Sequence, residues 1–309
     1  MAEPRLRNMQ GDDWPAVGEL IHASINCWNQ MHALPPIFLG EPSATQVFCR
    51  LYEDLDPGCC LLAEHSDTGR LMGSCFYHPR DTHVSVGIMN VHPAYFGRRV
   101  GSALMRAIID IAERQDKPLR LVSSALNLDS FSLYTRHGFV PRQTYQDMLL
   151  NVPDTGLGHL APAQASRVRA GRVQDAAAMA DLEQRISGIR RENDYRYFLD
   201  NREGIWHVSV CEGENGLDAF LCSVADPAIN MLGPGVALTT GAALAVLHAE
   251  LDHHRGRTPV FLVPMDQPEL VAELYRWGAR NCDLHLGQVR GPWQPMQGVT
   301  MPTFLPETG

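Results

Sequence analysis

The feature that most restricts the fold is a repetition of the chain within itself. Arg5-Leu6-Arg7, Asp13, Ala16 and Leu20 recur in order as Arg167-Val168-Arg169, Asp175, Ala178 and Leu182, at a constant spacing of 162 residues. Further on the spacing becomes 140, where Gly101, Ala103, Leu104 and Gly138 meet Gly241, Ala243, Leu244 and Gly278. Self-similarity over such a length means duplicated domains rather than one large barrel. The change of spacing makes the second copy 22 residues shorter. Pro153 to Ser166 has little apolar periodicity and reads as a linker. The expected organisation is a domain over 1–152, a linker over 153–166, a second domain over 167–291 and a Pro-rich tail over 292–309.

The first copy opens with an extended run, Arg5 to Met9, and a helix through Val17, Leu20 and Ile21; Val47, Phe48, Leu51 and Leu55 mark a second helix. Cys59 to Ala63, Leu71 to His78 and Val84 to Val91 are separated by turn residues and read as an antiparallel meander. From Gly101 the apolar period becomes helical through Leu104, Ile108, Ile109 and Ile111. A strand over Leu119 to Ser123, a helix over Ser130 to Arg136 and a strand over Gln143 to Leu150 complete it.

Composition excludes several classes. Lys and Arg number 26 against 35 Asp and Glu, a net charge of −9, which disfavours generic phosphate-backbone binding to nucleic acid. Met1 to Trp14 is polar and carries acidic residues where an export signal needs a basic flank and an apolar core. Val236 to Leu247 falls short of the roughly 20 residues a membrane span needs. Eight scattered cysteines without a Cys-x-x-Cys pair read as reduced core residues rather than zinc ligands. The expectation is a cytoplasmic protein with no metal and with neither a nucleic-acid nor a membrane partner. The terminal Leu305-Pro306-Glu307-Thr308-Gly309 resembles a sortase signal without that signal's apolar span, and reads as coincidence.

The chemically informative stretch runs from Asn90-Val91-His92-Pro93 through Arg98-Arg99-Val100-Gly101-Ser102-Ala103, where a strand ends and a helix begins. Amides at such a helix start lack intrahelical partners and, with the helix dipole, attract anions. Gly101 admits a close backbone approach, and two arginines add charge suited to a pyrophosphate. The same residues also suit a water-capped helix with solvated arginines. Neither a P-loop nor a Gly-x-Gly-x-x-Gly pattern is present.

Arg98-x-x-Gly101-x-Ala103, after Val91-His92-Pro93, resembles the acetyl-CoA loop of the GNAT N-acetyltransferase superfamily. So does the later Asn127 followed by Leu133-Tyr134-Thr135-Arg136-His137-Gly138-Phe139. The resemblance covers roughly residues 3–151. It implies an α/β (α+β) fold of two tandem GNAT-like domains, each a mixed, mostly antiparallel sheet flanked by helices. By the same resemblance, Met89, Asn90 and Val91 would meet pantetheine and the thioester. Arg98, Arg99, Val100, Gly101, Ser102 and Ala103 would hold the pyrophosphate, and Asn127 the cofactor arm. Tyr134 would protonate the departing thiolate. Acetyl-CoA is then the co-substrate of acetyl transfer to an amine, with acceptor contacts from Trp28, His32 and Phe38.

Two departures matter. The fourth-strand glutamate that serves many relatives as base is represented by Ser85, which leaves His83 and His92 as nearby titratable groups. Arg99 stands where many relatives have glycine. In the second copy Arg98, Arg99 and Tyr134 become Leu238, Thr239 and Leu274, so that domain reads as degenerate. The expected enzyme is a monomer with an internal pseudo-dimer, or a homodimer; a non-catalytic acyl-CoA sensor or scaffold is the alternative. The polar segment Gly188 to Trp206 reads either as a cleft wall or as a solvated amphipathic helix with internal ion pairs.

Overall fold

The structure is a computed structural model that describes residues 4–306. The last three residues of the sortase-like terminus lie outside the described residues. No helix among those described is long and apolar enough to cross a membrane.

The first half runs β1 (Arg5–Asn8), α1 (Trp14–Met31), α2 (Gln46–Leu55), β2 (Cys60–Glu64), β3 (Leu71–Pro79), β4 (Val84–Val91), α3 (Val100–Arg114), β5 (Leu119–Ser124), α4 (Leu128–Arg136) and β6 (Val140–Leu149). The second half repeats the order as β7 (Val168–Ala170), α5 (Ala176–Ser187), α6 (Glu192–Asp200), β8 (Trp206–Gly213), β9 (Gly216–Asp226), β10 (Ile229–Ala237), α7 (Thr240–His253), β11 (Val260–Pro264), α8 (Pro268–Arg276) and β12 (Arg280–Arg290). A short β13 (Val299–Met301) follows within the expected tail.

The two halves do not build separate sheets. All strands join one 13-stranded sheet in the order β1-β2-β3-β4-β5-β12-β6-β11-β10-β9-β8-β7, with β13 beside β10. The closing strand of each half has crossed into the other: β12 pairs antiparallel with β5, and β6 with β11, while β6 and β12 pair with each other at the centre. Alternation of side chains across the strands gives the sheet two apolar faces. On one, α1, α2, α5 and α6 share a continuous core that includes Ile21, Phe48, Tyr52, Ile186, Tyr195 and Phe198. On the other, α3 and α7 lie over separate cores, built around Leu104 and Ile108 in the first half and Val246 and Leu251 in the second.

A buried ion network crosses between the halves on the shared face. The Arg80 guanidinium donates from Nη1 and Nη2 to Asp56 at 2.6 and 2.9 Å, and from Nε to Asp194 of α6 at 2.9 Å. Burial pushes the Asp56 carboxyl up, but the bonds from His78 and Arg80 outweigh it and hold that carboxyl below its ordinary range. The segment Gly188 to Trp206 is therefore amphipathic: Arg191, Asp194, Tyr195 and Phe198 are buried, whereas Arg196 is exposed and pairs with Glu192 one turn away. Arg191 donates to Glu183, as does the Tyr195 hydroxyl. Charge pattern alone does not show that two of the segment's ions, Arg191 and Asp194, are buried against partners on other elements. The linker is also more than a tether: Leu157 is buried, and its amide donates to Asp252 of α7 at 2.6 Å.

Candidate active site

β4 and β5 are parallel and paired only at Val84–Leu119 and Ser85–Arg120, so beyond those residues they part. A bulge in β4 between Val86 and Met89 adds to the divergence. Met89, Asn90 and Val91 form the end of β4 along this opening. Asn90 is buried, its Oδ1 accepts from the Ser24 hydroxyl of α1 at 2.6 Å, and its Nδ2 has no partner among the described residues. Met89 and Val91 instead pack toward the α3 core, which Tyr134 of α4 also joins.

The start of α3 has the character the sequence suggested. Ala103 makes the first helical bond, N–H to Arg99 C=O at 3.0 Å, which leaves the amides of Val100, Gly101 and Ser102 without intrahelical acceptors. No side chain caps this end among the described residues. Gly101 is needed for space: a β-carbon there would lie 3.3 Å from Leu133 and 3.7 Å from Val91, so the helix start, α4 and the end of β4 converge at this residue. Ser102 Oγ adds a contact of 2.9 Å with His137 Nε2. Arg98 is exposed over the Tyr95 ring, 5.7 Å from its centroid. Arg99, also exposed, holds the left-handed conformation (φ 64°), which explains in backbone terms why glycine suits this position.

Asn127 caps α4, its Oδ1 accepting the Ser130 amide at 3.0 Å, and so fixes the helix that carries Tyr134. Tyr134 is half-buried, with its ring centroid 6.0 Å from that of Phe139. Trp28 and His32 stack at 4.0 Å near the end of α1, and Phe38 meets Phe48 at 5.8 Å.

The histidines next to β4 are unsuited to taking a proton from a substrate. His83 is fully buried, its Nε2 lies 3.1 Å from Ser85 Oγ, and burial among Arg120, Arg191, Arg80 and Lys117 holds it well below its ordinary range. His92 turns Nδ1 back onto the Ala94 amide at 3.2 Å. A third group is not legible in the sequence. Asp147 of β6 and His285 of β12 come within 2.8 Å, and Ser124 of β5 donates to Asp283 at 2.7 Å. Asp147, Asp283 and His285 lie close enough for a cation, within 4.8 Å of one another, and form a charged cluster that Ser124 joins through its hydrogen bond to Asp283. Burial, with Asp283 beside it, pushes the Asp147 carboxyl up, against the bond from His285. Only strand exchange brings these residues beside β5.

The equivalent place in the second half is closed. The link from β10 to α7 is only Leu238-Thr239, too short for the arginine-bearing turn. Thr239 Oγ1 caps α7 by accepting the Ala242 amide at 3.2 Å, and a β-carbon on Gly241 would meet Gln164 at 2.9 Å. β10 and β11 also part after one pair, Met231–Val260, and β13 lies in their opening, paired with β10 from Gly235–Met301 to Ala237–Val299. The Pro-rich tail thus contributes to the core, with Val299, Met301, Thr303 and Leu305 buried. Its apolar residues fill the opening between β10 and β11.

The acetyltransferase (GNAT) family model matches residues 26–139, which span this site. The UPF0157 protein YqkA of Bacillus subtilis (strain 168) is 31% identical over 93 residues, 29% of this chain and 27% of that protein, so the match spans about a quarter of the relative's length. Among solved structures, a candidate acetyltransferase from Pyrococcus horikoshii has a TM-score of 0.71 at 15% identity, covering 96% of this chain and 92% of that one. A GCN5-related N-acetyltransferase from Sphaerobacter thermophilus has 0.62 at 16%, covering 95% and 98%. A tandem GNAT protein from the clavulanic acid biosynthesis pathway has 0.60 at 15%, covering 94% and 99%. At these identities the structural likeness is one of fold. Residues 26–139 thus match the GNAT acetyltransferase family model, and the chain carries the tandem GNAT fold over nearly its whole length.

Proposed function

We propose that this protein transfers an acetyl group from acetyl-CoA to an amine, with the reaction in the first half. The observation that carries the reading is the contrast between the two copies: an uncapped α3 start beside an open β4–β5 splay, against a capped α7 start beside a splay filled by β13. On this reading residues 1–152 are the catalytic domain, 167–291 a structural one joined by 153–166, and 292–309 a segment that includes the plug. The amides from Val100 to Ala103, with Arg98 and Arg99, bind the pyrophosphate, and Met89, Asn90 and Val91 line the pantetheine and thioester. Asn127 serves the cofactor arm by fixing α4. Backbone donors at the end of β4 stabilise the oxyanion as a neutral amine attacks, and Tyr134 protonates the leaving thiolate. The acceptor enters past Trp28, His32 and Phe38. Eight cysteines without a disulfide accord with action in the cytoplasm.

The test measures acetyl-CoA binding by calorimetry and CoA release with spermidine, glucosamine, a lysine peptide and methoxyamine. Binding with turnover supports the reading, with Arg98→Ala raising the Kd. Binding without turnover on a broader amine panel would favour an acyl-CoA sensor, and no binding would refute both.

A further inference from the structure

We propose that His285, on the strand exchanged into the first half, takes the proton from the incoming amine, with Asp147 as its positioning residue. This rests on the acetyl-transfer reading and names the base that reading leaves open.

The position follows from register. Ser85 pairs with Arg120, so four residues further along β5 Ser124 stands level with the Met89–Asn90 end of β4, across the splay. Leu119 and Leu121 pack in the α3 core and Val122 in the shared one, so Ser124, in phase with Val122, faces α1 and α2. His285 is directly opposite Ser124 in the β5–β12 pairing and emerges on that same face. A thioester held from the α3 side and threaded between β4 and β5 presents its acyl carbon to this face, where an attacking amine would arrive.

The chemistry fits the position. Nδ1 of His285 is 2.8 Å from Asp147 Oδ1, off the line of a well-formed hydrogen bond, with Asp283 Oδ2 the next group at 3.9 Å. Nε2 makes no hydrogen bond among the described residues, and the side chain is 11% exposed. A carboxylate on Nδ1 fixes the tautomer that leaves a lone pair on Nε2. The charged groups facing the ring are Asp147 and Asp283; Tyr145, paired with His285 across β6, is the other titratable side chain. Ser124 and Phe304, whose ring lies 4.6 Å away, are uncharged. The carbonyl of Phe304 accepts from the Tyr52 hydroxyl of α2 at 3.2 Å, so the tail braces the histidine from above.

In the step itself, Nε2 takes one proton from the substrate ammonium. The neutral nitrogen bonds to the acyl carbon as the C–S bond breaks, and the thiolate receives its proton from Tyr134. The surplus proton on nitrogen leaves to solvent, which restores the tyrosine, and His285 returns its own proton to solvent.

The test compares wild type and His285→Gln on the protonated amine best used by the wild type and on methoxyamine, which is already neutral at pH 7. The expected result is a loss of about 10²–10⁴ in kcat/KM for the first. That loss should shrink as pH rises, and methoxyamine should react at nearly the wild-type rate. Equal losses for both amines, or none, would overturn the proposal. Nitrogen NMR of the wild-type imidazole needs no acceptor: a proton on Nδ1 and none on Nε2 is expected, Asp147→Asn should disturb that preference, and the opposite tautomer refutes it. Failure of the parent reading looks different, because wild type would then neither bind acetyl-CoA nor release CoA.

Discussion

Replacing Arg80 by alanine tests whether the halves are locked by charge as well as by strand exchange. The guanidinium is 7% exposed, and Asp194, which it bonds, is 1% exposed. Asp56 keeps its contact with His78 Nδ1 at 2.7 Å, but Asp194 loses its only cation among the described ion pairs. Removing one member of a buried ion pair typically costs about 3–5 kcal/mol, chiefly because a desolvated charge is left behind. The exchanged strands make the sheet continuous, so the chain should unfold as one unit. At about 2.1 cal/mol/K per residue its unfolding entropy is roughly 0.65 kcal/mol/K, and the cost becomes a fall in Tm of about 5–8 °C. Scanning calorimetry at pH 7 measures this. The Asp56 carboxylate is held below its ordinary value in the folded state, so its contribution is full above about pH 4 and fades as pH falls through the folded value. The gap between wild type and variant should narrow in acid accordingly. A Tm change under about 1 °C at pH 7 would refute the reasoning.

Further outcomes follow from the site and the topology. Tyr134→Phe should lower kcat by about 10²–10⁴ in steady-state CoA release, with acetyl-CoA affinity little changed; an unchanged kcat with chemistry limiting would remove the tyrosine from the acid role. Gly101→Val puts branched carbons against Leu133 and over the free amides, so acetyl-CoA affinity measured by calorimetry should fall at least about tenfold, the equivalent of 1.4 kcal/mol. A fragment ending at residue 152 leaves β5 without β12 and both edges of β6 unpaired. It should aggregate or dimerise by light scattering, whereas a well-folded monomer would contradict the exchanged topology.

Much of the site was legible because helix starts and turns are governed by local chemistry. The Arg98 to Ala103 junction and the Asn127 cap follow from residues adjacent in sequence or one helix turn apart, whereas the crowding at Gly101 comes from Leu133 and Val91 on other elements. The decay of the second copy was legible too, in the loss of Arg98, Arg99 and Tyr134, although not the way the space is refilled. His83 looked available from its neighbours in sequence, yet two of the arginines that surround it, Arg120 and Arg191, come from β5 and the loop before α6.

The sequence by itself determined that there are two copies, what elements each contains and which copy keeps the arginine-bearing helix start, since repetition, periodicity and capping are local properties. Only the tertiary structure decided which strand completes which sheet. β6 and β12 are equivalent in the repeat, and either could close either half, because an antiparallel ladder is bonded through backbone groups that every residue offers. The choice made here puts β12 beside β5, and with it His285, Asp147 and Asp283 beside the first half's splay.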